Sequence, residues 1–198
     1  MVHPRQWKKT RRDKVEEKLA SVEETSSQAL GSVVGVASRE GKFLTFRLGV
    51  EHYGIEILKV QEIIGMLPIT DVPRTPAFIK GVINLRGKVI PVTDLRVKFG
   101  MSSIEYSNRT CIIVVQIIKE GKEATMGLIV DEVSEVVDIA ASQMEPPPDF
   151  GQSVDVDFIF GMGKVDSRVV MLIEVDRVLA NVDMKLLSDS SKIKSDEK

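Results

Sequence analysis

The stretch Ile79-Lys80-Gly81-Val82-Ile83-Asn84-Leu85-Arg86-Gly87-Lys88-Val89-Ile90-Pro91-Val92-Thr93-Asp94-Leu95 decides the class of fold. Two apolar runs, Val82–Leu85 and Val89–Val92, flank Arg86-Gly87-Lys88, which has the composition of a hairpin turn. Pro91 has no N–H to give to a ladder, so it belongs at an edge, a bulge or a strand end. The pattern recurs on both sides. Phe43–Arg47 and Tyr53–Leu58 flank Gly49, Thr110–Ile118 and Ala124–Val130 flank Glu120-Gly121-Lys122, and Phe158–Met162 and Val169–Val175 flank Asp166-Ser167. Short strands joined by tight turns indicate a mainly β chain built as small antiparallel barrels or sandwiches, not a parallel α/β sheet. One helix is expected over Val175–Leu187, where Val175, Val178, Leu179, Val182 and Leu186 repeat at helical spacing.

A weak internal repeat runs through these runs. Val60-Gln61-Glu62-Ile63 recurs as Val130-Asp131-Glu132-Val133, and Gly81 recurs as Gly161. At that second offset Lys88–Leu95 resembles Arg168–Val175, and the extra length fits the loop around Pro146-Pro147-Pro148 and Val154-Asp155. Two copies of one small β unit follow, each with a limited core of its own. Packed side by side, two such barrels would leave a groove, a favoured place for binding.

The 198 residues are 43% hydrophobic and 28% charged, a globular balance, with a net charge of −2 that gives no general electrostatic case for nucleic acid. No apolar run approaches the roughly 20 residues of a membrane span, and the basic start of the chain lacks the apolar core of a secretory signal. The single cysteine, Cys111, allows no internal disulfide and agrees with a reducing, cytoplasmic setting. Residues 1–42 carry no β alternation; their Ser and Gly content, with seven Lys/Arg in the first 18 positions, reads as a flexible, partly helical extension. The same basic charge also suits an acidic partner or a membrane surface. Residues 187–198 read as a frayed tail, leaving 43–186 as the folded body. Its halves differ in sign: 9 Lys/Arg against 6 Asp/Glu over 43–110, and 5 against 13 over 111–180. Opposite potentials suit a module that orients itself between two partners.

Residues for chemistry are sparse. His3 lies in the extension and His52 is expected in a hairpin turn, so neither has the setting of an acid–base residue. Cys111 opens an apolar run and reads as a small core residue. Gly163-Lys164 lacks the upstream glycine and following Ser/Thr of a phosphate loop, and Gly161-Met162-Gly163 is weak evidence for any ligand. Asp155 and Asp157 alternate before a strand, as a hard-cation pair or as solvated loop charges. No zinc set of Cys and His exists. No cofactor and no catalysis are expected, and binding remains.

Several motifs in order carry a resemblance: Tyr53-Gly54-Ile55-Glu56-Ile57-Leu58-Lys59-Val60-Gln61-Glu62-Ile63, Thr75-Pro76-Ala77-Phe78-Ile79-Lys80-Gly81, Asn84-Leu85-Arg86-Gly87 and Ile90–Arg96. It continues through Leu128-Ile129-Val130-Asp131 and Pro147-Pro148-Asp149-Phe150 to Phe160-Gly161. Over roughly residues 43–186 the chain resembles the bacterial chemotaxis coupling proteins, the CheW family. The resemblance implies two five-stranded SH3-like barrels packed side by side, intertwined subdomains at about 43–110 and 111–180. It implies a non-catalytic adaptor joining methyl-accepting chemoreceptors to the histidine kinase CheA, cytoplasmic and held near the inner membrane through receptor arrays. By the same carry-over, Val60, Glu62, Gly81, Asn84, Leu85 and Arg86 face the receptor tip, and Phe150 contacts the kinase's regulatory domain. The 42-residue extension departs from the family. Alternatives from the residues alone are an RNA-binding barrel, opposed by the net −5 of residues 43–180, and a hydrolase using Asp155 and Asp157; an adaptor with an output other than motility is a further reading.

Overall fold

The computed structural model describes residues 40–119, 121–148 and 157–179. Eleven strands run along the described residues: β1 Gly41–Leu48, β2 Glu51–Glu56, β3 Val60–Gly65, β4 Ile79–Leu85, β5 Lys88–Asp94, β6 Cys111–Lys119, β7 Lys122–Val130, β8 Glu132–Ile139, β9 Met144–Glu145, β10 Ile159–Val165 and β11 Arg168–Ile173. Two one-turn helices, α1 Leu95–Lys98 and α2 Val175–Val178, follow β5 and β11. All four expected hairpins form, as β1/β2, β4/β5, β6/β7 and β10/β11. Of the expected helix over 175–187, Val175–Val178 is helical with Leu179 as its cap; positions from 180 onward lie outside the described residues.

The strands divide into a five-stranded sheet, β3-β6-β7-β5-β4, and a six-stranded one, β8-β1-β2-β11-β10-β9. Each curls shut in the same way. The chain leaving β3 returns at Thr70, which bridges Val82 of β4, and the chain leaving β8 returns as β9 on β10. The sixth strand is this two-residue closure, so each barrel has five principal strands.

The repeat is visible in the pairing. Parallel contacts join β5 to β7 and β11 to β2, two departures from an all-antiparallel reading. Gly81 sits beyond a bulge opposite Val92, and Gly161 beyond a bulge opposite Leu172. The first repeat is β1–β5 with α1, and the second β6–β11 with α2. Their opening hairpins are exchanged: β1/β2 completes the barrel of β8–β11, and β6/β7 completes that of β3–β5. A division at 110/111 therefore separates the repeats but not the barrels, because Cys111 opens a strand paired with β3.

Alternation explains the long apolar runs. On β6, Ile112 and Val114 fill the barrel interior with Ile83, Ile90, Val92 and Ile129, while Cys111, Ile113, Val115 and Ile117 face the other barrel. On β1, Phe43 turns inward with Ile139, Val170 and Leu172, while Leu44, Phe46 and Leu48 turn to the shared layer. Strands covered on both faces need apolar residues at successive positions. The space between the barrels is thus the principal core. Pro91 is tolerated because β7 pairs with β5 only from Val92 onward, so Pro91 has a strand neighbour on one side.

Candidate partner-binding site

The hairpin that opened the sequence argument makes a surface feature at the mouth of the 60–130 barrel. Arg86 and Gly87 form its turn with φ of +52° and +84°. Two successive left-handed residues match the right-handed twist of the strands they join. Glycine adopts this readily, whereas arginine does so at a cost. The Gly87 N–H donates to Asn84 Oδ1 at 2.9 Å, which ties the turn. Arg86 Nη2 then reaches across to Glu62 Oε2 on β3 at 2.9 Å, with the Arg86 side chain 79% exposed. The guanidinium is presented to solvent on a turn held from two sides.

Of the residues carried over from the resemblance, Glu62, Asn84 and Arg86 meet at this mouth. Leu85 is half-buried beside Ile64, Met66, Leu67 and Ile69 against the barrel interior. Val60 is 8% exposed and belongs to the shared core. Gly81 is buried, and a Cβ there would overlap the Thr70 carbonyl, lying 2.8 Å from its carbon. Val60 therefore packs in the layer between the barrels, and Gly81 lets the chain at Thr70 close this barrel. Phe150 and Asp155 lie outside the described residues. Val89, 56% exposed on β5 opposite Asn84, adds an apolar neighbour.

A second polar group, unremarked in the sequence, fastens the barrels together. Asp94, 2% exposed, caps α1 by accepting from the Arg96 and Val97 N–H groups at 3.0 and 3.3 Å. Tyr106 donates its hydroxyl to the other carboxylate oxygen at 3.3 Å, and Lys80 Nζ stands 4.0 Å from it. Partial burial of the otherwise exposed ring first, and the Asp94 charge second, push the Tyr106 phenol up to about 12. Arg96 Nη1 holds Asp131 Oδ2 at 2.6 Å, and the Gly49 N–H donates to the same oxygen. Asp176 of α2 makes the matching clasp, accepting from Lys59 and from the Ile118 N–H. The Thr-Asp-Leu-Arg start of α1 is a helix-entry signal that would have found Asp94. Asp131 has no local signal, since its partner is remote in sequence.

His52 lies within β2 opposite Arg47, not in a turn, and burial followed by Arg168 and Arg47 lowers its pKa, keeping the imidazole neutral at pH 7. Cys111 is buried. Gly163 is occupied by packing against Ile139. Asp157 is exposed, and among the described residues no three His, Cys, Asp or Glu gather as a metal site.

Comparison with known proteins places this architecture. The CheW-like domain profile matches residues 42–183. The chain belongs to the CheW-like domain family. It is 38% identical over 168 residues to the chemotaxis protein CheW of Klebsiella aerogenes, covering 85% of this chain and 96% of the relative. The chemotaxis protein CheW of Rhizobium meliloti is 35% identical over 137 residues, covering 69% and 86%. The solved scaffolding protein TtCheW from Thermoanaerobacter tengcongensis is 39% identical and superposes with a TM-score of 0.63, over 71% of this chain and 92% of that one. Among the described residues no helix is long and apolar enough to cross a membrane.

Proposed function

We propose that the chain is a chemotaxis adaptor that couples methyl-accepting chemoreceptors to the histidine kinase CheA. The carrying observation is Arg86: a guanidinium on a left-handed turn, tied through Asn84 and Glu62, and still open to solvent. Its fork suits a carboxylate on an acidic helical tip. The surrounding barrel is the basic one, with 9 Lys/Arg and 6 Asp/Glu over 60–130, which favours such a partner. Leu85 and Val89 supply apolar contact beside the charge. The kinase engages a different surface, barrel to barrel, through Phe150. The adaptor acts in the cytoplasm, peripheral to the membrane through its receptors, and without a cofactor. Family membership and the names of the relatives support this reading.

Arg86→Glu tests it by titration calorimetry against a receptor cytoplasmic hairpin and against isolated kinase. A buried arginine anchor is worth on the order of 2 kcal/mol, about thirty-fold in affinity. Receptor binding should fall by at least that factor while kinase binding stays within about three-fold. Equal loss toward both partners, or none toward the receptor, removes Arg86 from the receptor site.

A further inference from the structure

The exchanged hairpins have a consequence for self-association. Neither repeat closes a barrel alone: β1/β2 needs β8 and β11, and β6/β7 needs β3 and β5. The two repeats are complementary partners that happen to share a chain. Their covalent link is the segment 100–110, exposed over residues 102–109. That segment is fastened at its ends. Met101 N–H and the Ser102 carbonyl bind Arg96, Tyr106 binds Asp94, and Arg109 reaches Glu132 at 3.4 Å.

We propose that the first repeat of one copy pairs with the second repeat of another, giving a reciprocal dimer. Each two-barrel unit in it combines β1–β5 from one chain with β6–β11 from the other. The interface is the one already described, including the Arg96–Asp131 and Lys59–Asp176 clasps, now formed between chains. Only the path of residues 100–110 differs, which is the condition under which exchange costs little. A short link gives the partner repeat an effective concentration in the mM range, so the single-chain form dominates in dilute solution. The dimer is the product of folding at high local concentration or with a link too short to close. It carries two Arg86 turns on one assembly and so joins two adaptor units.

The strand pair β1/β8 reports the exchange. Lys42 and Asp138 are directly opposed, exposed and ion-paired at 2.6 Å. Opposed residues of an antiparallel pair lie within disulfide reach. Full-length Lys42→Cys and full-length Asp138→Cys proteins are unfolded together in denaturant, refolded at about 1 mM and oxidised, with disulfides mapped by mass spectrometry. A second arm repeats this with residues 102–106 deleted from both. Expected is a 42–138 disulfide between chains after co-refolding, absent when the same proteins are mixed after folding separately, and enriched by the deletion. If the deleted chains fail to fold, the full-length arm decides by itself. Monomers without that disulfide in the co-refolded full-length arm overturn the proposal. A dimer joined at any other pair of positions does the same.

Discussion

Gly81→Ala separates a residue that shapes a barrel from one that touches a partner. At φ +132° the added methyl group meets the Thr70 carbonyl carbon at 2.8 Å and Ile69 Cγ2 at 3.0 Å. Thr70 and Val82 exchange two backbone hydrogen bonds of 2.9 Å, the bridge that closes the barrel. Separating them forfeits roughly 1 kcal/mol each. The backbone conformation itself costs a non-glycine residue about 1–3 kcal/mol. The sum, about 3–5 kcal/mol, is a large share of the 5–15 kcal/mol that holds an ordinary domain. With a urea m-value near 2 kcal/mol/M, the unfolding midpoint should drop by roughly 2 M. Gly87→Ala is the control: its added methyl has nothing within 4 Å, so only the left-handed backbone is charged, about 1–2 kcal/mol. A Gly81→Ala protein with an unmoved midpoint and weakened receptor binding would refute the closure argument and return Gly81 to the contact surface.

Asp94→Ala removes a helix cap and leaves the Tyr106 hydroxyl and Lys80 facing a void; the loss should be about 2–4 kcal/mol by calorimetry, with Asp94→Asn retaining part of it. Tyr106, its phenol raised to about 12, and Tyr53, raised by burial, are the two tyrosines of the chain, so the absorbance of phenolate should not rise until well above pH 10. A phenol whose folded pKa exceeds its unfolded one stabilises the fold fully below pH 10 and loses that contribution as pH climbs toward 12. Tyr106→Phe should flatten the alkaline fall in melting temperature over that interval, and an unchanged slope would show that Tyr106 is not its source.

Much of the fold was legible because tight turns and apolar alternation are local. All four hairpins could be drawn from Gly49, Arg86-Gly87, Gly121 and Asp166-Ser167 with the runs beside them. Their exchange between repeats was not legible, since a strand buried on both faces looks the same whichever barrel receives it. Thr45, for example, binds Glu135 through its hydroxyl, and nothing near Thr45 announces that partner. At the site, the turn predicts exposure for Arg86, and the structure agrees. Val60 and Gly81 needed the fold itself, because a valine in a strand and a glycine near a turn read alike inside or out. The Arg96–Asp131 clasp escaped for the same reason: the two residues lie on different repeats.

The exchanged hairpin also sets a schedule for synthesis. Thr45 and its partner Glu135 are 90 positions apart, and β2 awaits β11, which lies further along still. On a ribosome adding roughly 5–20 residues per second, the first hairpin stands without its barrel for about 5–20 s. During that interval Leu44, Phe46, Leu48 and Ile55 have no core to enter. Lys42, Arg47, Glu51 and Glu56 alternate among and around them, and such charges oppose the sticking of unfinished strands to one another. The nascent hairpin of this chain therefore stays unpaired at β1 until β8 arrives and at β2 until β11 does.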